Sequence, residues 1–214
     1  EARKVWNGMI DKHPAMIARC AGPGDVIAAV DFAREQALLV SVRGGGHNVA
    51  GRAVCDDGLV IDLSQMRGVS VDLVERTVRA QGGATLGDID RETQPFGLAV
   101  PVGLVTATGI AGLTLHGGMG WLTRRYGLTL DNLLSVDIVT ADGRLQRASE
   151  SENADLFWAV RGGGGNFGIV TAFEFRAYPV GPDVWFSVVV YPVSQAADVL
   201  RFVRDYVGEA PEEL

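Results

Sequence analysis

The sequence predicts an α+β fold. Short apolar runs of strand length are interspersed with stretches of helical period. Two pairs of strand-like runs are joined by tight turns, and the 28 glycines gather in a few short stretches rather than spreading evenly. At 214 residues and 47% apolar, the chain is long enough to bury a substantial core.

In chain order, Pro14 to Arg19 reads as a short strand. Asp25 is placed to cap a helix running to about Gln36, with Val26, Val30 and Ala33 inward. Leu38 to Val42 is an apolar strand that leads straight into Arg43-Gly44-Gly45-Gly46-His47-Asn48, and Leu59 to Leu63 is another strand. Val69 to Val74 and Thr77 to Gln81 alternate with period two about a turn, a hairpin pattern. Thr85 caps a helix to about Gln94. Residues 97–131 are rich in Gly and Thr and weakly periodic, so they receive no assignment. Leu133 to Thr140, the Ala141-Asp142-Gly143 turn and Arg144 to Arg147 form a second hairpin. Asn153 to Val160 is a short helix, and Phe167 to Arg176 is a strand with Val170, Ala172 and Phe173 alternating. Tyr178-Pro179-Val180-Gly181-Pro182 interrupts the pattern and marks a boundary: residues 1–181 form one domain, and 182–214 begin a second with a strand Trp185 to Tyr191 and a helix from about Ser194 to Val207.

Composition excludes several classes of function. The net charge is −7 and the lysines are Lys4 and Lys12 alone, and nothing resembles the clustered basic face that neutralises a nucleic-acid backbone. No apolar run approaches the length of a membrane-spanning helix. Cys20 and Cys55 are too few for a disulfide scaffold and read as reduced, buried thiols. His13, His47 and His116 show no metal-ligand spacing with them, so no metal is expected. The expected location is cytoplasmic; secretion stays open because the chain opens on Glu1 rather than Met.

The glycine stretches at 44–46, 82–83, 117–120 and 162–165 carry the chemical signal. A strand that runs into three glycines exposes successive N–H groups, a nest suited to phosphate oxygens, although one such loop alone is equally a tight turn. Gly163-Gly164-Gly165-Asn166-Phe167-Gly168 matches the letters of the dinucleotide fingerprint, but a helix precedes it and a strand follows, the reverse of what that motif needs. Read from the residues alone, His47 is a loop histidine beside a phosphate-type nest, a description that suits a structural histidine as well as a functional one. Trp121, Phe157 and Trp158 read as core, given their apolar neighbours.

Val42-Arg43-Gly44-Gly45-Gly46-His47-Asn48-Val49-Ala50-Gly51 resembles the flavin-attachment loop of the FAD-linked oxidases of the berberine-bridge-enzyme-like group, within the vanillyl-alcohol-oxidase (PCMH-type) superfamily. The resemblance continues in order through Leu59–Ser64, Thr108–Leu115, Gly117–Leu122, Tyr126–Leu128, Asp131–Leu133, Asp155–Trp158 and Arg161–Val170. It implies a PCMH-type FAD-binding domain of two α+β subdomains, about 1–70 and 71–181, followed by the start of a substrate-binding domain. It implies FAD covalently linked through His47. Its implied contacts are Arg43, Gly44, Gly45, Gly46, His47, Asn48, Gly51, Ser64, Thr108, Gly109, Gly112, Leu113, Gly117, Gly118, Gly120, Asp131, Asn132, Gly168, Ile169 and Val170. Among these, 44–48 and 108–112 would face the pyrophosphate and 117–120 would approach the ring. His116 departs from the glycine common at its place and reads as filling space or facing the flavin or substrate.

The implied activity is hydride transfer from a small alcohol, sugar, amine or phenolic substrate to the flavin, then to O2. A dehydrogenase with another acceptor and a non-catalytic nucleotide-binding module are the alternatives. The catalytic base and much of the substrate wall come from other segments in the family, so no catalytic base is named, and residues 1–214 alone are expected to be inactive. Some members add a second link through a cysteine; the corresponding position here is Val105, which has no nucleophile. Self-association is expected through strand edges left unpaired at residues 185–191.

Overall fold

The computed structural model describes residues 2–181, 183–185 and 187–211. Strands β1 (Met16–Arg19), β2 (Val40–Arg43) and β3 (Leu59–Asp62) form a parallel sheet in the order β1-β3-β2. The central β3 is buried throughout, its Leu59-Val60-Ile61 run as expected of a strand covered on both faces and Asp62 along with it. Parallel pairing needs a crossover, and α1 (Pro23–Glu35) supplies it between β1 and β2. This helix starts earlier than predicted, because Pro23 presets its first turn. Asp25 therefore sits inside that turn, and its carboxylate reaches back to accept from the Ala21 and Gly22 N–H groups at 2.8 and 3.2 Å. Val26 and Ala33 are buried as expected, joined by Ala29, while Val30 is half-buried against the same cluster.

A five-stranded antiparallel sheet follows. It comprises β4 (Val69–Asp72), β5 (Thr77–Gln81), β7 (Leu133–Val139), β8 (Leu145–Ser149) and β9 (Ile169–Arg176), in the order β4-β5-β9-β7-β8; β6 (Leu98–Ala99) lies outside it. Both predicted hairpins are present as β4/β5 and β7/β8. The predicted alternation in β9 is not: Asp137 pairs with Ala172 but Ile138 pairs with Val170, so Thr171 is an extra residue. This bulge inverts the parity of the strand, and Val170 and Phe173, three apart, both enter the main core. Val139 and Ile169, at one end of this sheet, instead pack with Val26, Leu59 and Ile61 of the parallel sheet, which ties the two sheets together.

Helix α2 (Leu86–Thr93) starts at the predicted cap, Thr85. Asp88 closes a capping box with Thr85, and its carboxylate takes a bidentate Arg67 guanidinium at 2.7 and 2.8 Å. Burial pushes the Asp88 pKa up, but the Thr85 N–H, Arg67 and the Thr85 hydroxyl outweigh it and hold the carboxyl below its usual value. The unassigned stretch contains two short helices, α3 (Ile110–Leu115) and α4 (Thr123–Tyr126). Beyond them, α5 (Ala154–Val160) buries Phe157 and Val160, and β10 (Tyr178–Pro179) pairs back onto β6. The first residues of the expected boundary are thus stitched to the preceding fold.

Three expectations are corrected. Trp158 is 74% exposed, because the face of α5 that buries Phe157 and Val160 turns its neighbour outward; Trp121 is likewise 74% exposed. No strand forms among residues 183–185 and 187–191, where side chains such as Trp185 and Val190 stay exposed without a partner strand; Pro182 and Phe186 lie outside the described residues. The unpaired strand edge invoked for self-association is therefore absent among the described residues. Helix α6 (Ala196–Glu209) forms as predicted but buries none of its residues. Cys20 and Cys55 are free and buried, and burial, with the nearby Asp25 and Asp62 charges, pushes the Cys20 thiol up to about 11. Among the described residues no helix is long and apolar enough to cross a membrane, and no group of His, Cys, Asp and Glu could hold a metal.

Candidate functional site

The loop after β2 and the loop before α3 meet backbone to backbone. A β-carbon at Gly45 would lie 2.3 Å from the Gly109 nitrogen, and one at Gly109 would lie 2.3 Å from the Gly45 nitrogen. No side chain fits on either side of this seam, so two glycines far apart in the sequence are needed together. Gly44 continues it, with a β-carbon there 3.1 Å from the Gly82 carbonyl oxygen; Gly82 in turn backs onto the Val170 carbonyl. Gly83 lies against the Leu63 carbonyl, and the Leu63 N–H donates to Arg43 at 2.8 Å. The far loop is anchored from beneath: Thr85 bridges Gly109, the Leu86 N–H donates to Thr108 and the Ile110 N–H donates to Ala84, both at 2.9 Å.

The structure thus gathers Arg43–Gly46, Thr108–Gly109, Gly82-Gly83 and Val170 into one place. Asn48, Gly51 and Gly112 lie at its margins. Gly112 sits on an exposed part of α3 with open space where a side chain would project, while the Asn48 carboxamide accepts from the Arg52 N–H at 3.0 Å. Ser64 borders a cavity of about 300 Å³ with Arg19, Arg43 and Asp62. Its N–H and hydroxyl both donate to Asp62, at 3.0 and 3.1 Å. Arg43 donates to the Ala2 carbonyl, with its Nε beside Gly46.

His47 is the chemically distinctive group of this seam. Its Nε2 is buried and has no hydrogen-bond partner, a condition that costs about 1–3 kcal/mol unless something completes it. Its ring stacks on Trp6, centroids 4.8 Å apart and 22° from parallel. Sequence reading missed Trp6, which lies in an aperiodic stretch far from the motif it touches; no local signal announces it.

A second cluster lies at the other end of α3. His116 Nδ1 donates to the Gly112 carbonyl at 2.8 Å, and a β-carbon at Gly164 would lie 2.7 Å from its Nε2. His116 is exposed and joins two of the glycine stretches. Leu113 and Thr129 press on Gly118, and Gly120 lies against the Val102 carbonyl, so protein already occupies the close approaches these glycines permit. Gly117 adopts φ +114. Asp131 accepts from the Leu128 N–H at 2.8 Å. Asn132 is buried: its amide donates to Tyr126 and Leu128 at 3.0 and 2.9 Å, and its oxygen accepts from the Tyr178 hydroxyl at 2.8 Å. Both side chains thus have local structural partners. Gly168 and Ile169 open β9 at the junction of the two sheets.

A seam of facing backbone beside an unpaired histidine suits an extended, phosphate-bearing cofactor, and the comparisons agree. Residues 14–149 match the family model described as FAD binding domain, and the chain belongs to that family, of the PCMH or vanillyl-alcohol-oxidase type. The (R)-6-hydroxynicotine oxidase of Paenarthrobacter nicotinovorans is 39% identical over 98% of this chain and 46% of its own length. An FAD-linked oxidoreductase of Dictyostelium discoideum is 39% identical over 99% of this chain and 46% of its own. Among solved structures, 6-hydroxy-D-nicotine oxidase from Arthrobacter nicotinovorans superposes with a TM-score of 0.92 at 39% identity, covering 97% of this chain and 46% of that one. Glucooligosaccharide oxidase from Acremonium strictum, a protein with a 6-S-cysteinyl, 8α-N1-histidyl FAD, gives 0.79 at 38% identity, covering 83% of this chain and 38% of that one. The chain spans about half the length, or less, of these relatives.

Proposed function

We propose that these residues are the cofactor-holding part of an FAD-dependent oxidase whose flavin is bonded to His47. In this reading residues 1–181 are the FAD-binding domain and 182–214 lead into a substrate domain. The FAD pyrophosphate lies along the seam of Gly44–Gly46 and Thr108–Gly109, where the two glycine loops meet backbone to backbone. His47 holds the ring at its 8α carbon. When bound, FAD supplies the hydride acceptor; the chain's own residues bind it, orient it and keep it in place. The substrate is a small alcohol, sugar, amine or phenol, as the nicotine and oligosaccharide oxidases among the relatives suggest, and O2 is the final acceptor.

One observation carries this reading: the buried, unpaired Nε2 of His47 at the end of a backbone-only seam. The test is acid precipitation of the full-length protein. Yellow colour should stay in the wild-type pellet and pass to the supernatant for His47→Ala. Colour released from both would reject the covalent link, and a protein that takes up no FAD would reject the reading as a whole. Reoxidation of the reduced protein in air, followed by stopped flow, tests oxidase against dehydrogenase.

A further inference from the structure

The N-terminal segment lies across the loop that carries His47. The Trp6 N–H donates to the Gly46 carbonyl at 3.0 Å, and the Asn7 amide donates to the Val49 carbonyl at 2.8 Å. Ile10 packs on Gly51, and Lys12 donates to the Gly51 and Val54 carbonyls at 3.2 and 3.1 Å. Contacts from residues 6–12 therefore grip the loop from residue 46 to residue 54, and the Trp6 indole lies flat on the imidazole. Yet Trp6 is 62% exposed. A tryptophan placed for core burial would not leave most of its surface in water, so its contact with His47 is the more specific feature of its position.

We propose that Trp6 is a positioning residue for covalent flavin attachment: its stacking fixes the plane of the His47 imidazole so that a ring nitrogen meets the flavin 8α carbon in line. This rests on His47 being the attachment point. His47 Nε2 has no hydrogen-bond partner, so no hydrogen bond to that nitrogen sets the orientation of the ring. A stacked neighbour removes the rotation about the final side-chain bond that would otherwise spread the nitrogen over several directions. Attachment forms one N–C bond and breaks one imidazole N–H and one C–H bond of the 8α methyl. The two protons and two electrons released end on molecular oxygen, as hydrogen peroxide. Geometry at the nitrogen thus controls a slow, single event per protein molecule, apart from turnover.

The test uses apo full-length protein mixed with FAD in air, sampled over time on denaturing gels under ultraviolet light. Covalent fluorescence should appear at least about tenfold more slowly in Trp6→Ala than in wild type. Rapid, dissociable FAD binding should change by less than about twofold, and Trp6→Phe, which keeps a stacking ring, should recover most of the rate. Equal rates for wild type and a folded Trp6→Ala would overturn the proposal. So would a Trp6→Phe rate as slow as that of Trp6→Ala. Should Trp6→Ala not fold, Trp6→Phe is compared with Trp6→Leu, which fills similar space without a π face; equal rates would again overturn it. No fluorescence in wild type at any time would reject the His47 link itself, and with it this proposal.

Discussion

Two glycine runs look alike in the sequence and behave differently in the fold. At 44–46 the chain leaves a parallel strand and lays its backbone against that of Gly109, more than sixty residues away, with His47 beyond. At 162–165 it leaves a helix and turns back on near neighbours: the Ala159 carbonyl and Phe167 crowd Gly163, His116 crowds Gly164, and Gly165 meets nothing. Contacts within one short segment can readjust together, whereas two loops anchored in different parts of the fold cannot. The order of elements around a glycine run, rather than its letters, decides whether it forms a seam or a turn.

The largest expected effect breaks the first run. Gly45→Ala puts a β-carbon 2.3 Å from the Gly109 nitrogen, so the two loops must part. We expect a loss of roughly 3 kcal/mol, about 6–12 °C in melting temperature, together with loss of FAD binding. Thermal melts with and without FAD check this; a variant as stable as wild type that still binds FAD would dissolve the distinction between the runs.

Next is Asp88→Ala, which reaches the same seam through Thr85 and its bridge to Gly109. It removes a buried carboxylate that accepts from Thr85 and from Arg67, at an expected cost of roughly 2 kcal/mol in a denaturant titration. The folded pKa of this group is lowered. Its contribution is therefore present above the ordinary carboxylate pKa and fades as pH falls through the lower folded value. Wild type should lose more stability than Asp88→Asn on acidification below about pH 4; parallel losses would place the acid sensitivity elsewhere.

The smallest effect lies in the second run. Gly165 has open space at its β-carbon and no positive φ, so Gly165→Ala should change stability by less than about 1 kcal/mol. A loss as large as that of Gly45→Ala would mean that both runs are seams.

How much of this was legible in the sequence follows from where the stabilising contacts lie. The Thr85 cap, the two hairpins and the buried β3 depend on neighbouring residues, and local pattern found them. The α3 region escaped because its order comes from remote partners, such as Thr106 and Thr108 accepting from Gly87 and Leu86. The parity of β9 was misread because a bulge leaves no mark in residue type. At the site, the glycine run and His47 stood out by composition. The pairing of Gly45 with Gly109 is a long-range fact, as is the stacking of Trp6 on His47, and neither shows in any window of sequence.

One histidine, and nothing else in this part of the chain, is expected to carry the flavin. Val105, the position that the family resemblance assigns to a second link, has no nucleophile. Cys55 is buried, its sulfur 3.8 Å from the Leu59 carbonyl and packed against Gly58. Mass analysis of a peptic digest of the full-length holoprotein tests this most directly. FAD is expected on the peptide containing His47 and on no other. FAD on a peptide containing Cys55, a flavin joined to two peptides, or a His47 peptide of unmodified mass would contradict it.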